Sequence, residues 1–217
     1  QAESFPCPSM GERVCLVRYL LRGLGFPIHP FLRGLLGLYG LQLHNFTPTS
    51  ILHIAGYVAL CELFLGCEAH FKLWKRLFCL VPRTQRGSLY QVGGAEIWCI
   101  ADTGYLSSTS KKSSKDWPSE WFYMEDIPLL DPVRRGLPEF NNAPLKKCRS
   151  WRPRSPQVED NGEVLYLMNR IKALARSGLT VIEVMSICIM WGVQPLQYRG
   201  HCFNGADDAT RCGRKGP

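Results

Sequence analysis

Residues 29–66 read HPFLRGLLGLYGLQLHNFTPTSILHIAGYVALCELFLG, and no other stretch limits the fold so tightly. His29-Pro30 opens a first helix, since proline in the first turn has no N–H to leave unsatisfied, and Gly40 closes it. Thr47-Pro48 caps and starts a second helix that runs to Gly66. Within 50–65 only His53 and Glu62 are strongly polar, and at about 100° per residue they fall on opposite sides. Such a helix belongs in the centre of a bundle. It is shorter than the roughly 20 clean apolar residues of a bilayer span and carries an ionisable Glu62. The apolar stretch 180–193 is shorter still and contains Glu183, so no membrane crossing is expected.

With 217 residues and 46% hydrophobic content the chain can bury a sizeable core, as one large domain or two small ones. Its net charge of +8 favours anionic partners such as nucleic acid. It begins at Gln1 without a basic-apolar-small signal pattern, and reads as a fragment or processed piece of something longer. Ten cysteines would suit a secreted scaffold in a short chain, but Cys15, Cys61, Cys79 and Cys188 fall in apolar helical runs and no C-x-x-C pair occurs. Cys61 and Cys67 straddle the helix end at Gly66 instead of sharing a face. Buried thiols in a reducing, intracellular compartment follow.

Around the central pair, Ser9 and Glu12 form a capping box for a helix carrying Val14, Val17, Leu20, Leu21 and Leu24 up to Gly25. Over 68–80, Phe71, Trp74, Leu77 and Phe78 recur at helical spacing before Pro82, which makes the first 82 residues a four-helix unit. The pattern then changes. Val92, Ile97, Trp98 and Ile100 within 89–100, and the aromatic run 121–124, read as strands joined through a mobile hairpin loop at 107–119. Prolines make regular structure sparse over 126–157. Asp160 and Glu163 open a helix through Val164, Leu167, Met168, Ile171 and Leu174 to Gly178, and a second capping box, Thr180 with Glu183, opens the next. The tail from 194 has no sustained periodicity. The fold class is α+β, mainly helical: a helical unit (1–88), a small antiparallel sheet with a Pro-rich and basic linker (89–157), and a helical hairpin with tail (158–217), as three units or one integrated domain.

These pieces together resemble the plant gypsy-type transposon domain, also titled a gypsy-type transposase, of retrotransposon-derived reading frames. The resemblance rests on RGLGFPIHPFLRGLLGLYGLQLHNFTPTSILHI at 22–54, HFKLWKRLF at 70–78 and KSSKDWPSEWFYM at 112–124. It continues through SGLT at 177–180, QPLQYR at 194–199 and DDATR at 207–211. After QPLQ the family resembles a His-Pro-Met-Trp run, where this chain has Gly200-His201-Cys202-Phe203. The resemblance implies a mobile-element protein of the nucleus or cytoplasm, and no established chemistry.

Catalytic patterns are weak. A DDE transferase needs three carboxylates converging on two metals, whereas Asp102, Asp116, Asp126 and Asp131 fall in loops around two weak strands. Asp102-Thr103-Gly104 matches the turn of a retroelement aspartic protease, in which two carboxyls share a proton. Here Tyr105 follows where a small residue is usual, so a chance turn at a strand end is expected. The helices flanking SGLT have helix-turn-helix spacing, but Val181, Ile182, Val184, Met185, Ile187, Ile189, Met190 and Trp191 leave almost no polar groups to read base edges. His201, Cys202 and Cys212 lack zinc-knuckle spacing, so no metal and no cofactor are expected. Gly93-Gly94 reads as a turn or bulge.

Lys146, Lys147, Arg149, Arg152 and Arg154 surround Trp151, a pattern that neutralises phosphates while the indole stacks on a base. Lys111, Lys112 and Lys115 extend the same character. The expected function is a non-enzymatic structural or nucleic-acid-associated protein of a gypsy-type retrotransposon, with RNA or DNA and other element-encoded proteins as partners. One alternative is a host-captured protein-interaction module recruiting partners through the aromatics of 117–123. The other is a retroelement aspartic protease using Asp102.

Overall fold

A computed structural model of the protein describes residues 6–85, 88–89, 91–108, 117–125, 136–141, 145, 151 and 162–190. Its elements are β1 (Glu12–Leu16), α1 (Val17–Leu20), α2 (Pro30–Tyr39), a 3₁₀ turn (Leu43–Asn45), α3 (Pro48–Ala59) continuing as π-type turns (Leu60–Leu65), and α4 (Phe71–Leu77). They are followed by β2 (Phe78–Pro82), β3 (Thr84–Gln85), β4 (Ser88–Leu89), β5 (Ala95–Cys99), a 3₁₀ turn (Trp117–Ser119), β6 (Trp121–Glu125), α5 (Gly162–Arg176) and α6 (Val181–Met190). The mainly helical α+β class holds.

The helix boundaries form as the local chemistry dictates. His29 Nδ1 accepts the Phe31 N–H ahead of Pro30, and Gly40 ends α2 in the left-handed region at φ 64°. Thr47 Oγ1 accepts the Ser50 N–H at the start of α3, and Gly66 stops the π-type turns at φ 71°. Thr180 and Glu183 exchange their capping bonds, Thr180 N–H to Oε2 at 2.7 Å and Glu183 N–H to Oγ1 at 3.2 Å. Every residue of α3 except Thr49 is buried. The helix Pro48–Leu65 is long and apolar enough to cross a membrane, yet 78% of that run is buried inside the protein. Against it lie α6, β5 and α1, and Gly56 lets Val181 of α6 approach closely.

An aromatic cluster fixes how the N-terminal helices meet. Trp74 stacks on Phe78 with ring centroids 4.2 Å apart and meets Phe31 and Tyr57 edge-on. Its indole N–H donates to the Tyr39 hydroxyl at 2.9 Å, so this fully buried ring leaves no polar atom unsatisfied. Tyr19 donates to the Phe46 carbonyl at 2.6 Å and Tyr57 to the His70 carbonyl at 2.8 Å, pinning loops to helices. Ser50 Oγ accepts the Ile97 N–H at 2.9 Å and so ties the start of α3 to β5.

Three expectations require correction. The segment after Ser9 starts as a strand, β1, and is helical only over Val17–Leu20. Half of the capping box does form, with Ser9 N–H donating to Glu12 Oε2 at 2.7 Å, but Gly11 between them lies at φ 89°, which turns the chain out of the helical path into β1. Helix α4 stops at Leu77 and not near Leu80, because Phe78 is already extended (φ −132°) and 78–82 pairs with β5. The Trp74–Phe78 pair that suggested a longer helix survives the change of backbone. The two later strands do not form a hairpin with each other. β5 pairs antiparallel with β2, and β6 pairs antiparallel with β1, in separate two-stranded ladders. Both ladders therefore stitch the middle of the chain onto its N-terminal part, as α6 does on α3.

Candidate nucleic-acid interface

Trp151 is the residue of the basic stretch that the structure describes; Lys146, Lys147, Arg149, Arg152 and Arg154 lie outside the described residues, as do Lys111, Lys112 and Lys115. The indole is 1% exposed, and its N–H donates to the Tyr39 carbonyl at 3.0 Å. Tyr39 is the last residue of α2, where helical carbonyls lack intrahelical partners, so Trp151 satisfies one of them. This corrects the stacking expectation. An indole with both faces packed in the core cannot also receive a base, and Trp151 acts as an anchor that joins the basic stretch to the end of α2.

The other sequence candidates separate in the same way. Asp102 is exposed, at φ 60° in the turn after β5, where Thr103 Oγ1 donates to the Ile100 carbonyl at 2.9 Å. That position keeps its carboxyl in water instead of the enclosed, proton-sharing environment of an aspartic protease. Asp116, Asp126, Asp131, His201, Cys202 and Cys212 lie outside the described residues. Among the described residues no cluster of three or more His, Cys, Asp or Glu has metal-binding geometry. Helices α5 and α6 have their main contacts on the N-terminal helices and not on each other, α5 against α4 and α6 against α3, with Val181, Val184, Met185 and Cys188 of α6 buried. The aromatics offered for partner recruitment are partly occupied, since Trp117 is buried against Gly93 and the strand Trp121–Glu125 is engaged by β1. A shallow crevice between Arg13, Gln42, His44, Leu137 and Phe140 has room for about one water molecule.

The polar groups of the interior serve the scaffold. His29 uses Nδ1 to cap α2, which places its proton on Nε2, and that N–H donates to Glu62 Oε1 at 2.8 Å. The imidazole thereby links the start of α2 to the end of α3. Burial pushes His44 and His53 down to about 4, so both are neutral at physiological pH. Burial pushes the Cys15 thiol up to about 12, which makes it inert.

Residues 14–82 match the family model described as "Putative gypsy type transposon". The similarity to that family is confined to these residues of the 217-residue chain. No curated protein and no solved structure matches the chain. The matched segment begins inside β1 and ends at the last residue of β2, spanning α1 to α4. It is not closed by itself. Both of its strands take their partners from beyond residue 82, and the small-residue face of α3 at Gly56 is covered by Val181. The matched segment thus folds together with the β5, β6 and α6 segments.

Proposed function

We propose that this chain works in a gypsy-type element as a non-enzymatic structural component that contacts RNA or DNA through Lys146, Lys147, Arg149, Arg152 and Arg154. The observation that carries the reading is the burial of Trp151 against Tyr39, which tethers five cations of the sequence to one point of a packed body. A net charge of +8 supports the same sign of partner. With the indole occupied in the core, recognition rests on phosphates and is insensitive to base sequence.

Five neutralised phosphates give a log–log salt slope of at most about −3.5 on single strands and about −4.5 on duplex DNA. Changing the five cations together to glutamine is expected to remove most of that slope and most of the binding measured by anisotropy of labelled oligonucleotides. A chain that binds no oligonucleotide at low salt, or a variant that keeps the full slope, sinks the proposal.

A further inference from the structure

The end of α3 carries a second, unrelated chemistry. In an α-helix closed by a left-handed glycine, the amide two positions past the end reaches back to the carbonyl five residues earlier. Here the π-type coil is one residue wider per turn, so the Gly66 and Cys67 amides both donate to the Cys61 carbonyl, the latter at 3.0 Å. That extra residue returns the main chain of Cys67 onto Cys61 instead of onto Glu62, so the two cysteines are joined by a backbone hydrogen bond. The two residues straddle the helix end at Gly66, as their spacing predicts, and the wide last turn adds the main-chain contact.

The two sulfurs differ in access. Cys61 is fully buried, whereas Cys67 is half-buried. Arg170 of α5 donates from both guanidinium arms to the Phe64 and Leu65 carbonyls, at 2.9 Å each, which holds a fixed positive charge beside Cys67. The neighbouring Cys61, helped by Arg170, lowers the Cys67 thiol from its ordinary range against the opposing effects of burial, Glu163 and Glu62. Burial holds the Cys61 thiol well above it. An accessible sulfur with thiolate character beside a buried partner thiol is the arrangement of an attacking and a resolving cysteine.

We propose that Cys61 and Cys67 form a modification site at which a hydroperoxide oxidises two thiols to a disulfide. Cys67 thiolate attacks one peroxide oxygen and the O–O bond breaks. The leaving hydroxide or alkoxide takes up a proton, and Cys67 becomes a sulfenic acid. The Cys61 sulfur then attacks the Cys67 sulfur, the S–O bond breaks, and the oxygen departs as water with the Cys61 proton. Two thiols are oxidised and one peroxide bond is reduced, and a dithiol reductant reverses the change.

The test uses the unaltered chain, treated with hydrogen peroxide, alkylated after unfolding and cleaved with trypsin. Residues 34–72 contain no internal Lys or Arg before Lys72, so both cysteines leave in one peptide. The expected result is a peptide that has lost two hydrogens, resists alkylation at both sulfurs, and recovers both with dithiothreitol. Alkylation of both cysteines at peroxide doses that oxidise the exposed Cys7 overturns the proposal, as does Cys67 halted at sulfenic or sulfinic acid with Cys61 still a thiol. Cys61→Ser should leave a Cys67 sulfenic acid that dimedone traps. Arg170→Met should slow alkylation of Cys67 at neutral pH by roughly threefold or more, and Arg170→Lys by less.

Discussion

Gly56 shows how one missing side chain positions a helix. A Cβ built there would lie 2.7 Å from Val181 Cγ1, too close for α6 to keep its seat on α3. Gly56→Ala is expected to cost about 1–3 kcal/mol through overpacking, offset by up to about 1 kcal/mol of helix propensity, in urea titrations. Adding Val181→Ala should recover part of the loss, and strict additivity would show that the two residues do not meet. His44 and His53 define the pH response. Their folded-state values of about 4 lie below the ordinary 6.5, so between those limits the unfolded chain binds more protons. Stability is therefore fully present above pH 6.5 and is lost as pH falls towards 4, by about 3 kcal/mol per histidine at most. Denaturation midpoints measured from pH 7 to pH 4 should fall accordingly, and His44→Gln with His53→Gln should flatten the slope.

At the level of elements, the ends of helices carry connections that the helices themselves cannot supply. Arg170 satisfies two terminal carbonyls of the α3 extension from a helix more than 100 residues later in the chain. Arg170→Met should cost about 2 kcal/mol and speed hydrogen exchange at the amides of 66 and 67, because the last turn loses its external partner. Thr180→Ala removes the cap of α6 and should cost about 1 kcal/mol, with a matching drop in melting temperature. The strands follow a different logic. β1 and β2 belong to a segment that reads as helical, and they become strands because β6 and β5 offer them backbone donors and acceptors. An isolated two-stranded ladder is marginal, so each depends on the helices packed against it.

For the whole molecule, the distinction between anchor and contact is decided at Trp151. Truncating this buried ring to alanine should cost about 3–5 kcal/mol and lower the melting temperature. Neutralising the five surrounding cations should leave that temperature nearly unchanged while reducing salt-sensitive binding. A Trp151→Ala variant of undiminished stability would show that the indole is not part of the core. The fold of the matched segment is likewise a property of the longer chain and not of residues 14–82 alone, since its strands and α3 are completed by later segments.

Local chemistry is legible in the order of residues. His29-Pro30, Gly40, Thr47-Pro48, Gly66 and the Thr180–Glu183 box act within a few residues of where they stand, through caps and backbone angles, and each marks its boundary in the fold. The central burial of α3 was equally legible, because a helix with an apolar circumference has nowhere else to go. Gly11 is the local signal against a first helix, and it outweighs the Ser9–Glu12 pattern around it. Long-range packing settled which strands pair and that the Trp151 indole turns inward. Those outcomes depend on partners far along the chain, such as β6 for β1, Arg170 for the end of α3 and Tyr39 for Trp151. Residue spacing encodes the periodicity of one element; it does not encode which distant donor will reach that element once the core has closed.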